Sequence, residues 1–586
     1  MIHLFILFFL FSGKIQGNKG VIVLKKNLPF KQQVELEGEG NTVFEIRYDY
    51  DLDGERVAVP SHCTLRFVGG SVNNGILALA DGDTIEGVAI LTEVRVIALG
   101  TSEKHIKDIA LYDITLDGNQ KGMLYAMIHF EYVDGVCLNH IGLANYNRVH
   151  APGKNNYRGE ERYKYHCMYV EHCSDISVDE LHSSGVVHPE GPAFYYCSNL
   201  KCDRMNISDK GNNVRLYTCV NIFHSSDVVL SNSYFYHSTG RGGSTVNFSV
   251  DRGKMDRCIL IGGLGIDIGN EGTPGETFMS DNVVIQNCTS TTAHLVYTAG
   301  LTDYEIDSLV VENCKGNITN IAFRIADNIG SFVVRNTEVS HTGNSGRALV
   351  RVDKHETAKD KKTSLRLEGV KYQTNSLQDC SMVMVADEAS VSDIRITDSQ
   401  YLKPRGGNAS QNRLEICMYA SASPVNLYLS NNILQARRFG SMNNFATAGR
   451  IIIENNHFMT YNDLNSSSIH LAFSRNTSNA IHPNSEIIVK DNIFDGMGIL
   501  ISNSTASPMT IANNTFGDNL TKRAISLAGT MERVKILSNT SKKGSNMQLY
   551  NNSASFGRDV KIIDNRLIKR GLSHDIDTTR RQINTH

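Results

Sequence analysis

The sequence predicts an all-β fold, a right-handed parallel β-helix solenoid with an N-terminal β-rich cap, and three observations predict it. The first is a returning phrase: LYLSNNIL at Leu427 to Leu434, IIIENNHF at Ile451 to Phe458, IIVKDNIF at Ile487 to Phe494, and MTIANNTF at Met509 to Phe516. Its second Asn falls at Asn432, Asn456, Asn492 and Asn514, with degenerate copies at Asn539 and Asn565, giving spacings of 24, 36, 22, 25 and 26. Such periods mean that each unit cannot bury its apolar face alone and must stack on its neighbours. The second is that apolar, mostly β-branched residues alternate within each unit and are followed by Asn, Asp, Ser or Gly, which reads as strand then turn. The third is that the gaps between phrases rarely hold a helix of about ten residues, so an all-β coil fits better than a leucine-rich horseshoe.

The chain opens with MIHLFILFFLFSGKIQG, whose apolar run Leu4 to Phe11 is too short to span a bilayer and fits a secretory signal over residues 1–17. Its n-region holds His3 and no Lys or Arg, and the cleavage point lies between Ser12 and Asn18. The expected location is secreted, periplasmic or cell-surface. No other stretch is long and apolar enough for a transmembrane helix.

Residues 18–100 differ in texture. The pieces FEIRYDYDLDGERVAVPSHCTLRF from Phe44, GGSVNNG at Gly69 to Gly75, and the strand around Thr84 and Ile85 resemble the N-terminal part of exported parallel β-helix proteins of Bacteroidota, grouped with the pectate-lyase-like superfamily. A rod of open coils needs an end cap that stops edge strands pairing with other chains, and this segment is placed to supply it. The resemblance implies a repertoire of polysaccharide lyases, polygalacturonase-type hydrolases, epimerases, tailspikes and adhesins, since this fold hosts many sites. The polygalacturonase order of an NTD triplet, a DD pair and a GHG triplet is not found, which lowers the hydrolase reading.

The β-helix is expected over residues 101–571, with room for roughly twenty coils and a length on the order of 90 Å, followed by a polar tail at 572–586. A chain of 586 residues, 41% hydrophobic and 20% charged, is globular, and its net charge of −3 argues against a nucleic-acid partner. The recurrent Asn residues are expected to form turn ladders, hydrogen-bonded from coil to coil. Cys288 and Cys314 follow Asn287 and Asn313, 26 residues apart, and should stack as buried thiols. Cys167 with Cys173, and Cys197 with Cys202, lack metal-ligand spacing.

Strand alternation phases the outward side chains. Val214 and Leu216 point inward with Arg215 outward, and the same reading turns out Asn247, Asp267, Arg324, Arg351, His129 and Tyr169. Stacked, these make an exposed polar column along which a sugar chain could lie. Alternating charges are also what an ordinary solvated strand face carries. As a set, three Arg on a slightly acidic chain suit carboxylate or sulfate recognition. The insertion Asn145 to His166, with Lys154 and Arg158, is the longest loop and is expected to overhang this face. Nearby loops supply His182, His188 and Glu190, then His237 and Arg241.

Two chemistries follow. A lyase acting on a uronate must neutralise the carboxylate, with Arg215 and Arg324 suited, and remove the C5 proton with a base such as His188, His237 or Lys154. A hydrolase needs two carboxylates, available as Asp267 with Glu271 or Glu190. The expected catalytic set is Arg215, Asp267, His188, His237 and Glu271. The expected substrate-binding set is His129, Tyr169, Asn247, Arg241, Arg324, Arg351 and Arg158. No cofactor is required, although Asp267, Glu271 and Glu276 sit in one Gly-rich turn that could take Ca²⁺. The segment GLGIDIG is no dinucleotide loop, because no helix follows it. The reading is an enzyme on acidic polysaccharide, lyase ahead of hydrolase. The alternative is a non-catalytic glycan-binding rod, which without Trp would stack sugars on some of its 23 Tyr. The oligomeric state is left open by the sequence.

Overall fold

A computed structural model of the chain describes residues 20–37, 40–119, 125–146, 166–184, 190–208, 218–238, 243–269, 278–298, 304–343, 348–355, 362–375, 380–386, 389–403, 413–419, 426–436, 438–439, 449–460, 470–474, 486–502, 508–519 and 521–579. Among these, one helix, Phe30–Glu37, accompanies a long succession of strands. The strands pair in parallel, each with the strand one coil on, which is the register of a parallel β-helix. The usual hand of parallel crossovers makes the winding right-handed.

Each coil contributes to three faces. The first carries Ile128–Glu131, Met168–Glu171, Ala193–Tyr195 and the start of Val220–Ser231. The second carries Ile106–Tyr112, the start of Val133–Ala144, and Ser198–Asp203. The third carries Ile114–Asp117, Asn206–Ser208 and Tyr234–Tyr236. Alternate residues turn inward into one continuous core, such as Phe130, Val170, Phe194, Ile222 and Phe248.

The winding reaches back into the segment expected as a cap: Gly20–Val23 pairs with Thr42–Ile46, and that with Thr64–Phe67. The helix serves the open end of the first face. There Arg56–Ala58 has a paired neighbour on one side only, the strand Val72–Ala78. On the other side Glu35 Oε1 accepts the Ala58 N–H at 2.9 Å. Phe30 and Val34 of the helix join the core, with the Phe30 ring 5.4 Å from that of Tyr50. A covered edge of this kind cannot template another chain.

The Asn repeat is a ladder of the expected kind. Asn431, Asn455, Asp491, Asn513, Ser538 and Asp564 take φ between 52° and 58°, a conformation Asn and Asp tolerate. The residue after each points inward. Asn456 Oδ1 accepts from both the backbone N–H and the side-chain amide of Asn432, at 3.0 and 2.9 Å, and the pattern repeats through Asn492, Asn514, Asn539 and Asn565. Upstream the same file continues as Ser399, whose backbone N–H donates to Asn432 Oδ1 at 2.9 Å, and Thr337, whose Oγ1 accepts the Cys314 N–H. Cys314, Cys288 and Cys258 precede them as buried thiols, so the stacking expected of Cys288 and Cys314 extends to a third coil. None of the cysteines whose side chains are described forms a disulfide.

Candidate functional site

The outward row of the first face is fixed by strand register. His129 pairs with Tyr169, Tyr169 with Ala193, Ala193 with Asn221, and Asn221 with Asn247. Asn247 then pairs with Asp267, Asp267 with Tyr297, Tyr297 with Arg324, and Arg324 with Arg351. Six of the seven residues expected to form one column do so, and in the expected order. The two positions between Tyr169 and Asn247 are held by Ala193 and Asn221, and Arg215 lies outside the described residues. Tyr297 is an additional member.

The row is not the bare exposed face expected of it. His129 and Asn247 are 5% exposed and Tyr169 1%. Tyr169, Tyr195, Phe223, Ala126 and Ala193 form an apolar cluster separate from the core, so this stretch of the outer face is itself packed. Buried polar groups must then find partners, and two groups of them do.

The first group centres on Tyr169. His129 meets its ring edge-on at 5.6 Å, and His129 Nε2 is 2.6 Å from Glu131 Oε1. That hydrogen bond holds the Glu131 carboxyl below the usual carboxylate range. His166, three residues ahead of Tyr169 at the corner of the coil, lies 5.8 Å from the same ring. Its Nδ1 faces the Gly191 carbonyl at 3.2 Å and Glu190 Oε2 at 3.5 Å. Both partners are acceptors, so Nδ1 carries the proton. Glu190 Oε2 also accepts from Asn221 Nδ2 at 2.6 Å, and Asn221 Oδ1 from Asn247 Nδ2 at 2.5 Å. Two imidazole–carboxylate pairs thus flank one phenol, and a file of amides leads from it along the row.

The second group lies further along. Ser244 Oγ donates to Asp267 Oδ2 at 2.8 Å. His294, 2% exposed, donates from Nδ1 to the Ile321 carbonyl at 2.6 Å, and burial lowers its pKa, so it is a neutral imidazole with its lone pair on Nε2. Its ring is 5.2 Å from Tyr297, whose hydroxyl pKa is raised by burial. The Arg324 guanidinium lies over the Tyr297 ring, 5.4 Å from its centroid. Arg324 Nε and Arg351 Nε bond the two oxygens of Asp353 at 2.8 and 2.6 Å. The expected cationic column is therefore partly neutralised: two guanidiniums share one carboxylate, and one positive charge remains over this trio.

Other expectations are corrected. Glu190 and Asp267 cannot act as a hydrolytic pair, because three coils at roughly 4.8 Å put them about 14 Å apart, beyond the roughly 5–9.5 Å such pairs need. His237, expected in a loop at the coil edge, follows Tyr234–Tyr236 at the end of the third face, buried, with its N–H on the Ile261 carbonyl at 2.8 Å. His188, Arg158, Arg241 and Glu271, with Lys154 and Glu276, lie outside the described residues. Of the three carboxylates in the Ca²⁺ turn only Asp267 is described, and no cluster of three or more His, Cys, Asp or Glu suited to a metal occurs among the described residues.

Sequence reasoning missed His166, Tyr195, Asn221, His294, Tyr297 and Asp353. Asn221 and Tyr297 were findable, since each follows a β-branched residue that points inward. His166 and His294 sit at coil corners, where turn length varies and alternation gives no phase.

No protein-family model and no curated protein matches this chain. Among solved structures it is similar to a mutant tailspike protein of E. coli bacteriophage HK620 in complex with a hexasaccharide, at 10% identity and a TM-score of 0.30, over 92% of this chain and 77% of that one. It is also similar to the PL6 family alginate lyase AlyGC, at 8% identity and a TM-score of 0.25, over 94% of this chain and all of that one. Likeness at this level carries no argument about activity, and the fold stands on the chain's own strand pairing. Among the described residues no helix is long and apolar enough to cross a membrane.

Proposed function

We propose that this protein is an exported polysaccharide lyase that cleaves a uronate-containing glycan by β-elimination on the first face. The observation that carries the reading is the grouping of His294, Tyr297 and Arg324. A phenol and a guanidinium stand on two successive coils of one outward row, and a neutral imidazole sits at the corner three residues before the phenol. In the step, Arg324 neutralises the substrate carboxylate and so acidifies the C5 proton. His294 Nε2 takes that proton, the electron pair forms the C4–C5 double bond, and the C4–O bond breaks. The Tyr297 hydroxyl gives its proton to the departing oxygen. The amide file at Asn221 and Asn247 and the Tyr169 group would hold the chain on the neighbouring coils. A substrate too large to enter a cell is consistent with the secretory segment.

A second reading, a glycan-binding rod without catalysis, is favoured by one observation: Asp353 already occupies both Arg324 and Arg351. The test is a screen of acidic and neutral polysaccharides, following absorbance of unsaturated uronate and reducing ends together. A lyase raises both, and Tyr297→Phe then lowers the rate by about 10²-fold or more with the fold intact. Reducing ends without absorbance indicate hydrolysis, and silence with retained glycan binding indicates the rod. Parallel assays with Ca²⁺ and with chelator test whether Asp267, with Glu271 and Glu276, takes a cation.

A further inference from the structure

Among the described residues the first face ends in five strands paired in parallel, His470–Ser474, Gly498–Ser502, Arg523–Ala528, Gln548–Asn551 and Ile568–Arg570. Ile525, Leu527 and Leu549 lie in the core, so Ser526, Tyr550 and Arg570 turn outward, and strand register sets them side by side on three successive coils. Arg523 joins them from the start of its strand. It pairs with Gln548 while Ile525 pairs with Leu549, which leaves Ala524 as a bulge, and a bulge re-aims the side chains beside it. The Arg523 guanidinium lies over the Tyr550 ring, 4.0 Å from its centroid, and that of Arg570 approaches the same ring at 5.8 Å.

This end of the chain is basic. Residues 521–579 hold eleven Lys and Arg against five Asp and Glu, a net of +6 on a chain whose total is −3. Several of its lysines have carboxylate partners: Lys522 has Asp518, Lys542 has Asp495, Lys561 has Asp577 and Lys569 has Asp575. Neither guanidinium on Tyr550 has one among the described residues, whereas Arg324 and Arg351 share Asp353. A guanidinium stacked on a ring keeps its N–H donors in its own plane, where they can grip a carboxylate or sulfate by two parallel bonds. A second observation is independent of charge. Ser526, beside Tyr550 in register, is 3% exposed, and its Oγ has no hydrogen-bond partner. An unpaired buried hydroxyl costs stability, and next to two unneutralised cations it offers one more donor to an anion.

We infer that Arg523, Arg570 and Ser526 form an anchoring subsite for the carboxylate or sulfate groups of an acidic polysaccharide, at the far end of the face that carries the outward row. Charge names the ligand class: the rest of the chain carries −9, so a polyanion is steered toward this end. Position names the polymer. Ser526 lies two coils in from the last strand, on the side of the rod, where a thread-like glycan reaches and a flat bilayer does not. The inference rests on the ligand of the proposed function being an acidic glycan and not on its being cleaved.

The test is native electrophoresis of the full chain in gels cast with alginate, polygalacturonate, chondroitin sulfate or neutral galactomannan, with flotation on phosphatidylglycerol vesicles in parallel. The parent is compared with Arg523→Gln/Arg570→Gln and with Arg558→Gln/Arg566→Gln, which removes the same charge from exposed residues of the same end. The expected result is retardation of the parent by an acidic polymer and not by galactomannan, at least about tenfold weaker affinity in the first variant, and affinity within about twofold of the parent in the second. Equal losses in the two variants make the binding a matter of diffuse charge and overturn the inference. So do an unchanged first variant, equal retardation by galactomannan, and a parent that no acidic polymer retards, whether or not it floats with vesicles. Should the first variant unfold at a lower temperature, Arg570→Gln alone decides, because that side chain is exposed: weaker retardation supports the subsite and unchanged retardation overturns it. Retardation that the first variant loses, without any cleavage product, sinks the lyase reading alone, and cleavage with unchanged retardation of that variant sinks the subsite alone.

Discussion

Asn492 lies in the middle of the ladder, and Asn492→Ala tests whether the ladder holds the rod together. The side chain is 1% exposed. Its Oδ1 accepts from the Asn456 backbone N–H at 2.9 Å and the Asn456 amide at 3.0 Å. Its Nδ2 faces the Ile453 and Lys490 carbonyls, each at 2.9 Å, and Asn514 Oδ1 at 3.0 Å. Ala leaves the buried Asn456 N–H without an acceptor and two carbonyls short of a donor. At about 1 kcal/mol net per bond, with a further penalty for the orphaned donor, the loss is about 3–5 kcal/mol. Asn565 ends the file and is only half-buried, so water can replace its bonds and Asn565→Ala should cost about 1–2 kcal/mol. A solenoid senses such a change locally, so the assay is native-state hydrogen exchange of the coils around 456 and 492, with denaturant unfolding as a second measure. Equal effects from the two variants, or less than about 1 kcal/mol at Asn492, would refute the reasoning.

Three further outcomes follow from the geometry. Gly191→Ala would drive a Cβ into the Cys219 backbone carbonyl, displacing the turn that carries Glu190 and faces His166, so binding on the first face should fall with little change in global unfolding. Burial pushes the Cys167 and Cys173 thiols up to about 12, so the native chain at pH 8 should resist alkylation there and react on unfolding, read by peptide mass. The carboxyl of Glu131 is held below its ordinary 4.5 by His129. The folded state therefore binds fewer protons than the unfolded one, and this contribution is complete above pH 4.5 and lost as pH falls through the lower folded value. Glu131→Gln should flatten the acid limb of a stability–pH profile in that window.

The legible part of this molecule is the part written by alternation. In Val246, Asn247 and Phe248 the β-branched and aromatic residues fix which way the middle side chain turns, and one coil's phase carries to the next through parallel register. That is why the sequence alone places His129, Tyr169, Asn247, Asp267, Arg324 and Arg351 in one row. The Asn file was legible for a related reason: a residue that repeats with the coil and follows a left-handed position must meet its own copy one rise away.

What alternation cannot phase is a corner. His166 and His294 stand three residues before the row, and their closeness to Tyr169 and Tyr297 depends on how each turn folds back. Nor does sequence show what a charge does once placed, since Arg324 and Arg351 read as two free cations until Asp353 is found between them. By itself the sequence determined the coil, its inward core and one outward row, because these depend on neighbours two residues apart. Only the tertiary structure decided the partners of that row, because a stacked coil brings residues some 25 positions apart to within one strand spacing.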